Sequence, residues 1–382
     1  MRITVIANGF QEGYIVDLIN GLASSSHDSK VTLIGSSFYP LHRINDNIAF
    51  KNLRGDHDNK QPFIEKIFRN LRYYKKLLAF ITPRNTDMVH VQWLNLTLID
   101  GILIPLFFRI RGIKVCYTAH DVLPHSRDSL LNRLLFYFIY HTHHHLVVHT
   151  GFIKSRIAGE FRVKPEKITV IRHGIYTITD NPDLDKAESR KQINLDSNAF
   201  VLLFFGIITK YKGLNILLEA FSKLNGINNA CLLIAGKVDE KYRSEYDELL
   251  ERYNHHNIRV FEGHIQEEKM QVLFKAADVT VLPYLEASQS GVMFMSYTFG
   301  RPVIAPAIGG FPDDIVEMKT GYLFNAGDPD SLAKAINRLY NEMDYQSTEC
   351  GELICNYTTE NYSWKNTGSS LWRTYSKILN FN

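Results

Sequence analysis

Short runs of apolar residues alternate with longer segments of helical spacing through the first 170 residues of the chain. The runs are rich in Val, Ile and aromatic residues and are apolar on both faces, a pattern typical of buried parallel strands. The segments between them predict helices that cover both faces of such a sheet. The predicted strands are RITVIA at Arg2, VTLIG at Val31, DMVHVQW at Asp87, KVCYTAH at Lys114, HLVVHT at His145 and KITVI at Lys167.

The alternation stops between residues 176 and 198, which are polar and turn-rich, and it then resumes. We interpret 176–198 as a linker between two α/β domains, residues 1–175 and 199–360. Doubly wound sheets bind ligands at the carboxyl ends of their strands, so a cleft between the two domains is the expected active site. The second set of predicted strands is FVLLFFG at Phe200, ACLLIAG at Ala230, IRVFEG at Ile258, VTVLPY at Val279, PVIAP at Pro302 and GYLF at Gly321. Helices are predicted at 214–224, 241–253, 267–277, 291–299 and 328–343.

Composition narrows the class of protein without identifying it. The 382 residues, 45% of them hydrophobic, supply apolar material for two or three packed domains. Lys and Arg number 43 against 40 Asp and Glu, so no net field favours nucleic acid as a partner. Four cysteines without two-residue spacing are typical of a reducing cytosol. No apolar run approaches the roughly 18 residues of a membrane span, and the start lacks the core of a secretory signal, so we expect a cytoplasmic location.

A strand-to-helix junction carries the first candidate for anion binding. In FFGIITKYKGL the predicted strand ends at Gly206, and a helix begins after Lys212 and Gly213. Free N–H groups at a helix start favour anions, so Lys212 beside them suits a diphosphate. A solvated lysine at a turn is the alternative. The segment is not a Walker loop, because no Lys-Ser or Lys-Thr pair follows the glycines.

A second junction lies between a buried strand and an apolar helix. Its hydroxyls and backbone amides can hold a phosphate, or they can serve as a simple N-cap. Glu286, just upstream, would face the cleft and accept hydrogen bonds from sugar hydroxyls, unless it is merely solvated. The SQSG segment at this junction consists of Ser288, Gln289, Ser290 and Gly291.

The first domain adds weaker signals. His120 and Asp121 in TAHDVLPH end a predicted strand at the expected cleft, although such a histidine is often only a structural hydrogen-bonding residue. The loop NGFQEG brings Gly9 to the end of the first strand, where backbone can approach a ligand. This loop is not the G-x-G-x-x-G fingerprint, so a nicotinamide-dependent oxidoreductase loses its main support.

Two further segments admit more than one interpretation. HTHHH at 141–145 has no carboxylate or cysteine cluster at ligand spacing, so a metal site is a minor alternative to rings that decorate a helix end. Segment 63–80 predicts an amphipathic helix that either lies on an anionic membrane or packs on the sheet with a solvated basic face. The basic residues of this helix are Lys66, Arg69, Arg72, Lys75 and Lys76.

Taken jointly, these motifs resemble the retaining glycosyltransferase family 4. The resemblance implies the GT-B architecture: two tandem Rossmann-like α/β domains facing a cleft, the first binding the acceptor and the second the nucleotide-sugar donor. The closing residues 361–382 resemble the family's terminal helix, which packs back on the first domain. The segments that carry the likeness are FFGIITKYKGLNILLEAF, ACLLIAG, SQSG, FGRPVIAPAIGGFPDDI, TGYLFNAGDPDSLAKAI, HVQW, TAHD, VVHT and VIRHG.

The resemblance also implies roles for individual residues. Lys212 would hold the donor diphosphate, His120 would position the sugar and the acceptor, and Glu286 would bind sugar hydroxyls. Asp121 and His173 would lie on the acceptor side, and no metal or other cofactor is implied. The remaining donor-binding positions implied by the likeness are Gly9, Gly206, Thr209, Lys210 and the four SQSG residues.

The sequence departs from the family pattern at two positions. The second glutamate of the family's paired-Glu motif falls at Met295, and a companion basic residue falls near Thr209. The expected activity is retaining transfer from a UDP- or GDP-linked sugar to a glycan or lipid-linked glycan, in bacterial surface polysaccharide or glycolipid synthesis at the inner membrane face. A catalytically silent GT-B scaffold and a nucleotide-sugar epimerase remain alternatives.

Overall fold

The computed structural model describes residues 1–8, 11–25, 29–56, 62–124, 128–178, 181, 183–254, 256–345 and 347–380. The chain divides into two compact units. One unit is Met1–Gly174 together with Tyr362–Asn382, and the other is Ile175–Asn361. Each unit is built on its own parallel sheet covered by helices, which confirms the prediction of two Rossmann-like α/β domains.

The strands and helices are numbered in chain order. The strands are β1 (Arg2–Ile6), β2 (Lys30–Gly35), β3 (Ile48–Asn52), β4 (Met88–Val91), β5 (Lys114–Ala119), β6 (His145–Val148), β7 (Ile168–Val170), β8 (Phe200–Phe205), β9 (Ala230–Gly236), β10 (Ile258–Glu262), β11 (Val279–Val281), β12 (Val303–Pro306) and β13 (Gly321–Phe324). The helices are α1 (Glu12–Ser24), α2 (Phe63–Phe80), α3 (Ile104–Ile110), α4 (Leu130–Thr142), α5 (Gly151–Glu160), α6 (Lys186–Gln192), α7 (Leu214–Ser222), α8 (Arg243–Arg252), α9 (Glu267–Ala276), α10 (Gly291–Thr298), α11 (Phe311–Asp314), α12 (Pro329–Glu342), α13 (Thr348–Tyr362) and α14 (Trp364–Leu379).

In each sheet, the strand that comes first in the chain lies in the interior, third from one edge. In the described residues, the first unit forms a seven-stranded sheet in the order β3-β2-β1-β4-β5-β6-β7, and the second forms a six-stranded sheet in the order β10-β9-β8-β11-β12-β13. The strand order therefore reverses beside β1 and beside β8. Ligands of open α/β sheets bind outside the carboxyl ends of the strands at such reversals.

The predicted strands and helices agree with the structure, with one strand missed. The five helices predicted in the second half correspond to α7, α8, α9, α10 and α12, with ends that differ by no more than two residues. The missed strand is β3, which lies at the edge of its sheet and leaves most of its side chains exposed or half-buried. A strand without a buried apolar face gives no period-2 signal to detect.

The C-terminal helix packs on the first unit, as the resemblance implied. Helix α14 lies against α1, and the two cross where each has a glycine. A Cβ on Gly368 would lie 2.1 Å from the Gly21 carbonyl oxygen, so only glycine permits this approach. Beside the crossing, Trp364 and Leu371 join the core that covers one face of the sheet.

The polar segment 176–198 belongs to the second unit and contains helix α6. Its Arg190 is buried and forms an ion pair with the fully buried Asp278 at 2.8 Å, while Lys186 pairs with the other carboxylate oxygen at 2.6 Å. The backbone N–H of Val201 donates to the same carboxylate. Because charged contacts anchor this helix, its sequence lacks the apolar period that would have predicted it.

Candidate functional site

Lys212 is a buried cation at the carboxyl edge of the second sheet. It ends a short 3-10 turn after β8, and its side chain is 8% exposed. Its Nζ lies 2.8 Å from the position of a Cβ on Gly206, so the glycine leaves the space that the ammonium group fills. Burial lowers the pKa of Lys212. Since no carboxylate of the described residues pairs with it, Lys212 can neutralise an anionic ligand at this edge.

Two glycines bring the loop after β11 close to this lysine. A Cβ on Gly213 would lie 2.0 Å from the Pro283 carbonyl oxygen, and one on Gly309 would lie 1.8 Å from that of Ala287. Both glycines have positive φ angles, which a side chain would strain further. The loop carries Tyr284, whose ring centroid is 5.4 Å from the Lys212 ammonium group in a cation–π contact.

The SQSG segment leads into α10 beside the same lysine. Ser290 precedes the helix, but its side chain makes no capping bond and instead donates to Tyr284 Oη at 3.5 Å. The first N–H groups of a helix lack an acceptor one full turn before them. That of Met293 donates to the Ser290 carbonyl at 3.2 Å, which leaves those of Gly291 and Val292 without an acceptor among the described residues. A side-chain atom of Val292 lies 3.5 Å from the Cβ position of Gly206, which places this helix start next to the Lys212 site.

Two further polar atoms at this edge are buried without a partner. Thr209 Oγ1 and Gln289 Oε1 make no hydrogen bond to any described group. Buried polar groups are nearly always hydrogen-bonded in folded proteins, to protein, water or ligand. These two oxygens, together with a Lys212 that pairs with no described carboxylate, indicate a site that a polar ligand completes.

Other residues that were predicted to bind the nucleotide-sugar donor are placed differently from that prediction. The Lys210 side chain is 74% exposed and forms an ion pair with Glu245 at 2.9 Å, so it points to solvent. Glu286 is exposed in the loop before α10 and has no hydrogen-bond partner in the described part of the chain. Met295 packs against the hydrophobic core, so it offers no polar group where the family has its second glutamate. Gly9 lies outside the described residues.

A cluster of aromatic rings and histidines occupies the carboxyl edge of the first sheet. His120 follows β5 and stacks on Trp93, which follows β4, with ring centroids 4.4 Å apart and planes 2° from parallel. Tyr14 on α1 contacts both rings edge-on at 5.4 Å. His149, just after β6, and His173, after β7, complete the cluster and are each 4% exposed.

A backbone carbonyl fixes which nitrogen of the His149 ring carries the proton. His149 Nδ1 donates to the Ile171 carbonyl at 2.9 Å, so its Nε2 is an acceptor. His120 Nδ1 and Tyr14 Oη each lie 3.3 Å from that Nε2, so either group can be its donor. His120 Nε2 is buried without a hydrogen-bond partner among the described groups, and it is a lone-pair acceptor when Nδ1 carries the proton.

Burial keeps these rings neutral. It lowers the pKa of His149 to about 4 and that of His173 to about 3. Burial, followed by the neighbouring His149 and His173 rings, lowers the pKa of His120 well below its ordinary value. A neutral His120 can accept a hydrogen bond from a hydroxyl, but it is a poor proton donor near neutral pH.

The acceptor-side residues are only partly brought together. Asp121 is half-buried beside His120, and its backbone carbonyl accepts from Tyr140 Oη at 3.4 Å. His173 lies in the cluster, with Nδ1 donating to the Gly174 carbonyl. The sequence argument missed Trp93, Tyr14 and His149 as site residues. Trp93 and His149 could have been predicted from their positions, since HVQW and VVHT each end a predicted strand at the same edge of the sheet.

Histidines of the HTHHH segment form hydrogen bonds within the first unit. His143 Nδ1 bonds with the Ile139 carbonyl at 2.7 Å, and His145 Nε2 bonds with Thr169 Oγ1 at 2.8 Å. Across the described ranges, no group of three or more His, Cys, Asp or Glu side chains is placed to hold a metal ion.

Two family models match the chain, one on each half. A Glycosyltransferase Family 4 model matches residues 11–177, and a Glycosyl transferases group 1 model matches residues 199–342. The chain is a homologue of the GT-B glycosyltransferases. The two edges described above therefore belong to glycosyltransferase domains, with Lys212 in the second and His120 in the first.

Curated relatives and solved structures agree with this assignment. An uncharacterized glycosyltransferase of Methanocaldococcus jannaschii is 26% identical over 58% of this chain and 57% of its own length. A D-inositol 3-phosphate glycosyltransferase of Corynebacterium efficiens is 25% identical over 76% of this chain and 71% of its own. The crystal structure of Anabaena HepE in complex with UDP and glucose has a TM-score of 0.74 at 16% identity, covering 99% of this glycosyltransferase homologue and 100% of HepE. The last likeness shows the fold.

Proposed function

We propose that this protein is a retaining, metal-independent glycosyltransferase that moves a sugar from a UDP- or GDP-linked donor to an acceptor hydroxyl. The observation that carries the proposal is Lys212, a buried ammonium group that pairs with no carboxylate of the described residues and lies beside the first N–H groups of α10. A nucleoside diphosphate leaves with negative charge on its phosphates. A fixed cation and a helix N-terminus stabilise that charge where it develops, which is a large source of rate enhancement.

The first unit supplies a hydrogen-bond acceptor rather than an acid. The lone pair of His120 Nε2 would accept from a hydroxyl of the donor sugar or of the acceptor, and the stacked Trp93 would hold the ring in that orientation. In front-face transfer with retention, the bond from the anomeric carbon to the leaving phosphate breaks as the acceptor oxygen bonds on the same face. The leaving phosphate takes the acceptor proton, so this route needs no side-chain base.

The proposed acceptor is a glycan or lipid-linked glycan, used in surface polysaccharide or glycolipid synthesis at the inner face of a bacterial membrane. Support comes from α2, whose second half packs on the sheet through Tyr73 and Leu77. In its first half, Ile64, Phe68 and Leu71 are each at least 60% exposed. An exposed apolar stripe with lysines and arginines around it favours peripheral contact with an anionic membrane. No helix of the described residues has the length and apolar character needed to cross a bilayer.

A catalytically silent binding protein is the second candidate. The observation that favours it is Met295, which packs against the core and cannot replace a glutamate that holds ribose hydroxyls. Ribose contacts contribute to donor affinity, so a silent protein would bind a nucleotide weakly or not at all.

Donor binding and product analysis test these proposals in order. Thermal shifts with UDP, GDP, dTDP and ADP, with and without EDTA, should show one nucleotide that stabilises the protein independently of metal. The matching nucleotide sugar is then supplied with candidate acceptors, and the anomeric configuration of the product is read by proton NMR. Absence of any shift at millimolar nucleotide would favour the silent protein. Conversion of the nucleotide sugar without an acceptor would identify an epimerase instead.

A further inference from the structure

A basic pocket lies in the first unit, between α2 and the chain that follows β3. The cavity has a volume of about 260 Å³, enough space for a phosphate or diphosphate group. Its charged lining comprises four cations and one carboxylate: Arg54, Arg69, Arg72, Lys76 and Asp56.

Arg54 is the buried member of this lining. It is 6% exposed, and its Nη1 donates to the Asn8 carbonyl at 2.9 Å. Its guanidinium lies 5.2 Å from the ring centroid of Tyr73. In the described part of the chain no carboxylate forms an ion pair with Arg54, although buried arginines are ordinarily paired.

One carboxylate cannot balance the charge of the four cations that line this pocket. Asp56 accepts a hydrogen bond from the Ser37 hydroxyl. Arg69 donates to the Asp56 backbone carbonyl at 3.3 Å. Arg72 and Lys76 are exposed on α2 and have no ion-pair partner within the described residues. The pocket therefore has an excess of positive charge, and guanidinium groups match the geometry of phosphate oxygens.

The pocket shares its sheet edge with the His120 cluster. Arg54 reaches Asn8, directly after β1, whereas His120 directly follows β5. Strands β1 and β5 are separated by β4, so they lie two inter-strand spacings apart, which is roughly 10 Å. A group bound at Arg54 would thus lie at the same edge of the sheet as a hydroxyl placed at His120.

We propose that this pocket binds a phosphate or diphosphate ester of the acceptor, so that the transferase acts on phosphorylated acceptors. The proposal rests on the transferase function proposed above and names the chemical class of its acceptor. Arg54 anchors the phosphoryl group from beneath, and Arg72 and Lys76 close over it from α2.

The test uses inorganic pyrophosphate as the probe and isothermal titration calorimetry as the measurement. The full-length chain carries Lys212→Met in every sample, so that the donor site contributes little to binding. We expect the pyrophosphate affinity to fall at least about tenfold in Arg72→Gln and in Lys76→Gln, because each removes a charge-assisted contact. Lys75→Gln, an exposed neighbour outside the pocket lining, should leave the affinity unchanged.

Equal pyrophosphate affinity in all three variants would overturn the proposal. Co-sedimentation with phosphatidylglycerol vesicles distinguishes an acceptor phosphate from a lipid headgroup. If the three variants lose vesicle binding alike while pyrophosphate binding persists, the cations serve a membrane surface and the pocket assignment is wrong. Nucleotide binding is measured separately in the chain with Lys212 intact. Its failure would refute the donor proposal without altering the pyrophosphate result.

Discussion

Replacing Lys212 with methionine removes the buried ammonium group and preserves most of the side-chain volume. A hydrogen bond to a charged group is worth about 1.5–3 kcal/mol, so the affinity for the donor nucleotide should fall roughly 10- to 150-fold. The folded state should not lose stability, because the ammonium group is buried without a carboxylate partner among the described residues and burial lowers its pKa. Removing a desolvated, unpaired charge should raise the unfolding temperature or leave it unchanged.

Lys210→Met is the matched comparison, since Lys210 is two residues away and its side chain is 74% exposed in an ion pair with Glu245. Surface ion pairs contribute little, so this variant should keep nucleotide affinity within about threefold. Calorimetry with UDP and GDP measures binding, and thermal unfolding without ligand measures stability. Similar losses of affinity in both variants would contradict the assignment of Lys212. A lower unfolding temperature in Lys212→Met would show that the lysine has a structural role instead.

Three other predictions follow from named contacts. His120→Ala should reduce transfer at least about a hundredfold while leaving nucleotide binding intact, in a turnover assay paired with calorimetry. Arg190→Ala should lower the free energy of unfolding by about 3–5 kcal/mol in urea, because it removes one of the two ion-pair partners of the buried Asp278. Stability should also fall as the pH drops below 6.5, since the unfolded chain protonates histidines that burial keeps neutral in the folded state. Urea unfolding should show a loss of at least about 4 kcal/mol at pH 5.5 relative to pH 7.5, the sum over three of the rings. Those rings, with pKa values lowered to about 3, 4 and 3, are His90, His149 and His173.

The sequence predicted the fold well because parallel strands and their helices are encoded locally. Runs such as FVLLFFG and ACLLIAG are apolar on both faces, and the helices between them repeat apolar residues at helical spacing. The ends of these apolar runs also located Lys212 and His120, since each lies where a predicted strand ends. Helix α6 gave no such signal, because Arg190 and Lys186 anchor it through charge rather than through an apolar face.

The sequence analysis identified only some of the candidate site residues that lie at the strand ends. Lys210 and Lys212 are the same residue type, two positions apart. The turn after β8 directs the Lys210 side chain to solvent and buries that of Lys212. Tyr14, Trp93 and His149 are separated by dozens of residues, yet parallel strand order brings them to one edge. Sequence spacing measures distance along the chain, whereas a site depends on which strand ends become neighbours.

The sequence by itself determined the two α/β domains, the strand ends that carry Lys212 and His120, and the resemblance to a glycosyltransferase family. Only the tertiary structure decided which polar groups are buried without partners. That property depends on desolvation by residues distant in the chain, so no local pattern reports it. It distinguishes Lys212 from Lys210 and leaves Nε2 of His120 without a partner among the described residues.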